Sequence, residues 1–252
     1  MTLPEQVLRV TGAGMEPAEY KLMDAAEDRM WWYRALHARL LRAIEGAAGP
    51  LLDAGCGTGG FLARVPPAFT PVGMDYHAPA AARAARKAGA PAVAGSINAL
   101  PFADESFGVA VSADVLSHAA AEPAAAAAEL FRVLRPGGRL VLNLPAFRWL
   151  LSAHDLRVHN TRRFTSGEVQ ALLAGAGFTE IRAGYWNGIL LPLMLLQRKV
   201  LARGAESRSD VATFPPWQDR MFFAATRFEH ALPFALPAGG SVLAVAHKPK
   251  RL

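Results

Sequence analysis

The most polar stretch of the sequence is HDLRVHNTRRF, residues 154–164, in a chain otherwise rich in alanine, leucine and glycine. Histidine moves protons near neutral pH, and arginine binds carboxylate or phosphate groups. We therefore take His154 and His159 as candidate proton acceptors. Arg162 and Arg163 are candidate contacts for an anionic group on the same ligand.

A structural role for this stretch is the alternative. The arginines can pair with Asp155 or Glu168 and pin the loop, and Phe164 can pack at the start of the following helix. His118, at the end of SADVLSHA, is a third candidate base because it follows another predicted strand. The sequence alone leaves both interpretations open.

A glycine-rich turn is the strongest single motif. In LLDAGCGTGG, residues 51–60, an apolar strand runs into glycines that let a ligand approach the backbone closely. Asp75 ends the next predicted strand, in PVGMD, where a carboxylate can accept hydrogen bonds from ribose hydroxyls. Tyr76 beside it can pack on a base.

The same glycines fit the G-x-G-x-x-G pattern of nicotinamide-binding domains, through Gly55, Gly57 and Gly60. Asp53 argues against that interpretation. A carboxylate two residues before the first glycine attracts a cationic amino group and repels a pyrophosphate. The pattern therefore favours a ligand that carries a cationic amino group, with an oxidoreductase as the alternative.

Short apolar runs alternate with helical segments, which is typical of a parallel sheet covered by helices on both faces. We predict an α/β fold with a doubly wound, mostly parallel, seven-stranded sheet. The predicted strands are Leu51–Ala54, Val72–Asp75, Ala92–Ala94, Phe107–Ser112, Arg139–Leu144, Glu180–Tyr185 and Ser241–His247. The predicted helices between them are Pro79–Ala88, Pro123–Leu134 and Ser166–Ala176, the last capped by Thr165 or Ser166.

Three segments interrupt this alternation and are too long to be plain connections. We expect them to be helical lids around a ligand crevice at one edge of the sheet. The predicted division is an N-terminal lid at 1–48 (helical around Glu27–Ile44), a domain at 49–247 with acceptor-side insertions at 145–164 and 187–237, and a basic tail at 248–252.

Composition excludes several classes of protein. The single cysteine rules out an intrachain disulfide and agrees with a reducing cytoplasm, where we expect this protein. The net charge of +6 comes with no dense basic run before the tail, so we expect no nucleic-acid partner. The N-terminus has no apolar signal core, and no stretch approaches the roughly 20 apolar residues of a membrane span.

The apolar stretch ILLPLMLLQRKVL, residues 189–201, is followed by basic residues. It is too short to cross a bilayer, but an apolar helix with a basic end suits attachment to the inner face of a membrane through 189–203. A homodimer contact, a binding pocket for an apolar molecule and a lid packed on its own domain are the alternatives. As the molecule bound in such a pocket we favour a bulky apolar one, such as an isoprenoid, polyketide or lipid-linked compound.

Four stretches together resemble a known family: LLDAGCGTGG, then GMD, then ALPFADESFGVAVSADVLSHA, then LFRVLRPGGRLVLNLP. Their order and spacing are similar to those of the class I S-adenosylmethionine-dependent methyltransferases, closest to the type 11-like subgroup that acts on small molecules and lipids. The resemblance covers roughly residues 30–247. It implies a Rossmann-like methyltransferase fold, S-adenosylmethionine as cofactor and no metal.

The resemblance also implies roles for individual residues. Asp75 would take both ribose hydroxyls, and Ile97 would flank the adenine. Ser112 and Ala113 would present backbone carbonyls to the methionine amino group. Arg34 would approach the methionine carboxylate, with a solvated helix face as the alternative. The implied cofactor-binding residues are Arg34, Asp53, Gly55, Cys56, Gly57, Asp75, Tyr76, Ser96, Ile97, Ser112 and Ala113.

Two positions depart from the family pattern. Ser96 stands where similar chains have an aspartate that meets the adenine, and Gly108 stands where they have an aspartate after phenylalanine. Methyl transfer needs chiefly alignment, and a base helps when the nucleophile is a hydroxyl. The nucleic-acid methyltransferase signature Asn/Asp-Pro-Pro-aromatic is absent after strand four. A repurposed cofactor-binding domain stays open, because a fold does not determine a function.

Overall fold

A seven-stranded sheet forms the centre of the protein. The structure is a computed structural model that describes residues 17–152, 155, 159–199, 214–234 and 236–251. Its strands are β1 Pro50–Ala54, β2 Thr70–Asp75, β3 Ala92–Ala94, β4 Phe107–Ala113, β5 Leu134–Pro145, β6 Thr179–Trp186 and β7 Ser241–His247. They lie in the order β3-β2-β1-β4-β5-β7-β6, with β7 antiparallel to both of its neighbours. The predicted fold class is confirmed.

Seven α-helices surround the sheet in the part of the chain that the structure describes. They are α1 Pro17–Ala26, α2 Trp31–Ile44, α3 Ala78–Ala88, α4 Pro123–Val133, α5 Ser166–Gly175, α6 Leu191–Lys199 and α7 Pro216–Ala231. Helix α5 begins with a capping box, in which the Thr165 side chain accepts from the backbone of Glu168 and the Glu168 carboxylate accepts from the backbone of Thr165. The expected cap at Thr165 is therefore present.

The predicted helix around Glu27–Ile44 differs from the structure at its start. Helix α1 ends at Ala26, residues 27–29 form a turn, and α2 starts at Trp31. The physical reason is that the Glu27 carboxylate is bound by the Thr58 hydroxyl and the Gly60 backbone N–H instead of facing solvent along one continuous helix.

Both faces of the sheet are buried, as expected for parallel strands. On one face, Leu140 and Leu142 pack with Leu130 of α4 and Leu173 of α5. On the other face, the core is formed with α2. That core contains Leu36, Leu40, Ile44, Leu51, Val109, Val111 and Val141.

The glycine at 108 has a packing reason. A Cβ atom added to Gly108 would overlap the backbone carbonyl oxygen of Ala48. The close approach of these two backbone segments leaves no room for a side chain at this position.

Helix α7 packs on α2 and on the loop that follows β6. The buried Arg39 of α2 donates to the Glu229 carboxylate, and its guanidinium lies over the Trp186 ring. Glu229 also accepts from the backbone N–H groups of Asn187 and Gly188, at 2.6 and 2.7 Å. These bonds hold α7 at the edge of the sheet where the parallel strands end. No described helix is long and apolar enough to cross a membrane.

Candidate functional site

The glycine turn leaves β1 at the carboxyl edge of the sheet. Gly55 and Gly57 have φ of +95° and +53°, in the region that favours glycine. The backbone N–H groups of Gly55 and Cys56 both donate to the Met74 carbonyl, at 2.7 and 2.9 Å. A Cβ atom on Gly55 would overlap the Val115 side chain. The turn is therefore held against the ends of both β2 and β4.

Two buried carboxylates flank this turn, Asp53 in β1 and Asp75 at the end of β2. Oδ2 of Asp53 is buried and has no hydrogen-bond partner among the described residues. Burial raises the pKa of Asp53 to about 8, and the charges of Asp75 and Glu27 add to the effect. A buried polar atom without a partner is costly, so this oxygen suits a ligand that brings a cationic donor.

Asp75 is held in a fixed orientation. Its Oδ2 accepts from the Gly57 backbone N–H at 2.9 Å. Its Oδ1 accepts from the His77 N–H at 2.9 Å and from the Tyr20 hydroxyl at 3.0 Å. Burial, together with the Asp75 charge and hydrogen bond, raises the pKa of Tyr20 well above its usual range. Helix α1 therefore reaches the carboxylate that was predicted to bind a ribose.

Helix α1 and the following turn cover the glycine-rich segment. The Glu27 carboxylate accepts from the Thr58 hydroxyl at 2.7 Å and from the Gly60 N–H at 3.1 Å. Lys87 of α3 pairs with Asp24 at 2.8 Å and also with Glu27. Sequence reasoning missed the pairing of Lys87 with this helix. The available signal was the cluster of acidic residues at positions 24, 27 and 28.

The remaining predicted cofactor residues surround the same edge. Ser112 is fully buried, and its hydroxyl donates to the Ala54 carbonyl, while Ala113 ends β4. Ile97 lies in the core, and the Ser96 hydroxyl accepts from a nearby backbone N–H. Tyr76 is 55% exposed. These residues stand at the ends of β2, β3 and β4, and their roles remain predictions.

Arg34 is engaged by α7. Its guanidinium lies 3.3 Å from Asp219 and 3.8 Å from the centre of the Phe223 ring. None of its contacts among the described residues is with the glycine turn. The structure thus shows Arg34 joining α2 to α7, and its contact with the methionine carboxylate stays a prediction.

Two of the three predicted histidines, His118 and His159, lie on segments that contact each other. The backbone of Ala119, next to His118, donates to the His159 carbonyl at 2.9 Å, and His118 forms an isolated antiparallel bridge with Asn160. His159 has a φ of +56°. His154 lies outside the described residues. The loop at 159–163 is therefore fixed beside the turn after β4.

The arginines of this loop have structural roles. Arg163 donates to both carboxylate oxygens of Asp155, at 2.8 and 2.9 Å, and both side chains are buried. Arg162 donates to the carbonyls of His118 and Ala121. These contacts match the alternative in which the arginines pin the loop, because they satisfy buried backbone and carboxylate acceptors of the loop itself. A ligand contact by either arginine stays a prediction.

Sequence reasoning missed a second carboxylate site at this edge. Asp114 follows β4 with a φ of +58°, and its Oδ1 accepts from the Asn143 side-chain amide at 2.9 Å. Asn143 in turn accepts from the Trp186 indole at 2.8 Å. The signal in the sequence was an acidic residue directly after a buried strand.

The surroundings of Asp114 suit proton transfer. Burial raises its pKa to about 7, even though the hydrogen bond from Asn143 works in the opposite direction. Asp114 is only partly buried, and the next residue, Val115, packs on Gly55 of the turn. A carboxylate that titrates near neutral pH beside a ligand turn is able to accept a proton from a reacting group.

Comparisons with known proteins agree with this geometry. Residues 52–142 match the family model described as methyltransferase domain. An uncharacterized 37.1 kDa protein in transposon TN4556 of Streptomyces fradiae is 37% identical over 201 residues, 74% of this chain and 57% of that protein. A probable S-adenosylmethionine-dependent methyltransferase of Mycolicibacterium smegmatis is 32% identical over 172 residues, 65% of either chain. This chain thus spans less than two thirds of these relatives.

A solved structure has the same fold. It is an S-adenosylmethionine-dependent methyltransferase of Thermotoga maritima, described as a possible histamine N-methyltransferase. The two chains are 18% identical with a TM-score of 0.59, and the match covers 92% of this chain and 95% of that one.

Proposed function

We propose, from the premise that residues 52–142 are a class I S-adenosylmethionine-dependent methyltransferase domain, that this protein methylates a small apolar or lipid-like acceptor. The cofactor of this family is S-adenosylmethionine, which supplies an electrophilic methyl group on a sulfonium. The nucleophile is an oxygen, nitrogen or carbon atom of the acceptor.

The observation that carries the proposal is the pair of buried carboxylates at neighbouring strand ends. The free Oδ2 of Asp53 supports binding of a cationic amino group beside the glycine turn. Asp75 is oriented by Gly57 and supports binding of ribose hydroxyls once Tyr20 yields its place. Both groups align a donor with the carboxyl edge of the sheet, which is the main requirement of an in-line transfer.

We further propose Asp114 as the group that accepts a proton from a hydroxyl acceptor. Asn143, fixed by the Trp186 indole, holds one carboxylate oxygen in place. His118 and His159 remain candidates in the adjoining loop, and His154 is a third candidate from the sequence. The position of Asp114 beside Val115 and the glycine turn, with its pKa near 7, makes it our first choice.

Aromatic side chains near this edge support an apolar acceptor. The rings of Trp32 and Trp186 stack with centroids 6.3 Å apart. Trp31, Leu190 and Phe222 form a separate apolar cluster at the junction of α2, α6 and α7. The proposal keeps the lid roles predicted for 1–48, 145–164 and 187–237. It also keeps the homodimer and membrane contacts predicted for the apolar segment at 189–203.

Two other functions fit parts of the same sequence. A nicotinamide-dependent oxidoreductase is disfavoured by Asp53 and by the family match. A repurposed domain would bind the cofactor without transferring its methyl group, so it predicts no formation of S-adenosylhomocysteine with any acceptor.

The test is formation of S-adenosylhomocysteine from S-adenosylmethionine with a panel of acceptors. The panel contains an isoprenoid alcohol, an alkyl phenol, a long-chain amine and, as polar controls, glycine and glycerol. We expect turnover with at least one apolar acceptor and none with the polar controls. Turnover with polar acceptors alone would contradict the acceptor class, and cofactor binding without turnover by any acceptor would favour the repurposed domain.

A further inference from the structure

Helix α7 carries an apolar stripe on its outer face. Trp217, Met221 and Phe228 are 62%, 49% and 65% exposed, and Ala224 between them is also exposed. Their spacing of four, three and four residues places all four on one side of an α-helix. Large exposed apolar side chains in such a row mark an interaction surface.

The stripe does not result from a loosely attached helix. The opposite face of α7 buries Phe222, Thr226 and Glu229. Asp219 in its first turn accepts from the Trp31 backbone N–H at 2.6 Å, and Glu229 near its end pairs with Arg39. The helix is thus fixed at both ends with the apolar stripe facing outward.

The exposed charges beside the stripe are basic. Arg220 and Arg227 are exposed, seven residues apart on one flank of α7, and neither makes an ion pair with a described residue. The acidic residues of the helix do not offset them at the surface, because Asp219 pairs with Arg34 and Glu229 is buried. An apolar stripe with a basic flank is complementary to an anionic lipid surface.

We propose that α7 docks in the plane of an anionic membrane, with Trp217, Met221 and Phe228 inserted at headgroup level and Arg220 and Arg227 on lipid phosphates. With 16 residues the helix is about 24 Å long and lies along the interface. A single row of four side chains offers less than the ~800 Å² per partner of a standard protein interface, which disfavours a second copy as the occupant.

Docking through α7 would bring the acceptor side of the sheet close to the membrane. The helix holds the loop after β6 through Glu229, and that loop follows Trp186 beside Asn143. This inference deepens the proposed function: the reason for docking rests on a lipid-like acceptor, whereas the docking surface itself is argued from the exposed side chains of α7. The sequence had suggested membrane contact through 189–203, and the surface proposed here is a different one.

The test is flotation of the full chain with vesicles in 0.1 M salt. One set of vesicles contains phosphatidylcholine and phosphatidylglycerol in equal parts, and the other contains phosphatidylcholine alone. We expect flotation with the anionic set. R220Q/R227Q should lower the partition coefficient for these vesicles by roughly 30-fold, because each arginine near the surface contributes a factor of about five. W217S/F228S should abolish flotation.

The matched control is R86Q/R182Q, which removes the same charge from exposed arginines of α3 and β6. It should bind like the unaltered protein. Thermal melting and S-adenosylmethionine binding should be unchanged in all three variants, which separates failure of docking from failure of folding or of the proposed function.

Three outcomes would overturn the proposal. One is no flotation of the unaltered protein with anionic vesicles. Another is flotation that survives W217S/F228S but is lost in L193S/L196S of α6, which would move the contact to the segment suggested by the sequence. The third is a concentration-dependent dimer that W217S/F228S abolishes, which would make a second copy the occupant.

Discussion

Asp53 and Asp75 are both buried carboxylates, but their partners differ. Asp75 accepts three hydrogen bonds from described residues, whereas Oδ2 of Asp53 has no described partner. With a pKa of about 8, Asp53 is mostly protonated at pH 7. A cationic amino group placed beside it would favour the charged carboxylate and expel the proton.

Cofactor binding should therefore release close to one proton at pH 7. Calorimetric titration with S-adenosylmethionine in phosphate and in Tris, which differ in ionisation enthalpy, measures that number. Asp53→Asn should bind without proton release, and Asp104→Asn, an exposed carboxylate paired with Arg132, should behave like the unaltered protein. Identical heats in the two buffers for the unaltered protein would contradict the role of Asp53.

The same carboxyl group should make the stability of the ligand-free protein depend on pH. Because the folded state raises the pKa of Asp53 from 3.8 to about 8, its protonated form contributes stability below pH 4 that is lost as pH rises through 8. Replacing it by Asn should raise the melting temperature at pH 8.5 relative to the unaltered protein by at least about 3 °C. An equal pH dependence in both proteins would show that Asp53 ionises freely in the fold.

Asp114 should control turnover without affecting cofactor affinity. Asp114→Asn should lower the rate with a hydroxyl acceptor by about 100-fold or more, while the Kd for S-adenosylmethionine stays within twofold. Because the base must be unprotonated, the rate of the unaltered enzyme should rise with pH through about 7. His118→Ala and His159→Ala are the comparison variants. If either histidine variant loses all turnover while Asp114→Asn stays active, that histidine, and not Asp114, accepts the proton.

At the scale of elements, local pattern predicted the sheet well. Six of the seven strands lie within two residues of their predicted bounds, because buried strands are continuous apolar runs between turns. The prediction for β5 is wrong at its start: the strand begins at Leu134, five residues before Arg139, because Leu134 pairs with Phe107 of β4.

The pattern did not predict that α1 covers the glycine turn. Lys87 meets Glu27 across 60 residues, and Asn143 meets Asp114 across 29. No periodicity encodes such contacts, and the pairing of Arg34 with Asp219 is a further example.

Helix α1 should compete with the cofactor for Asp75. A carboxylate has about four lone-pair sites, and three of those of Asp75 accept from Gly57, His77 and Tyr20. Two ribose hydroxyls need two sites, so the Tyr20 hydroxyl has to leave. Tyr20→Phe should therefore tighten S-adenosylmethionine binding about threefold to tenfold, by calorimetry.

The matched control for this substitution is Tyr76→Phe, which removes the hydroxyl of an exposed tyrosine beside the same strand end. It should leave the affinity unchanged within twofold. Weaker binding by Tyr20→Phe would mean that the hydroxyl belongs to the binding site and that α1 stays in place.

At the scale of the whole molecule, the chemistry lies along one edge. The ends of β1, β2, β4 and β5 bring Asp53, Asp75, Asp114 and the loop at 159–163 to the same side of the sheet. Helix α1 and the turn after it cover the glycine turn, and α7 borders the loop after β6. In the proposed function, the apolar and basic surface of α7 is therefore on the acceptor side of that edge.

The central claim is that the glycine turn and its two carboxylates bind an adenosyl sulfonium. Calorimetric titration of the full chain with S-adenosylmethionine, S-adenosylhomocysteine and NADH tests it most directly. We predict saturable binding of the two adenosyl compounds, at least tenfold weaker in Asp75→Ala, and no binding of NADH. Binding of NADH alone, or adenosyl binding that is unaffected by Asp75→Ala, would contradict the account.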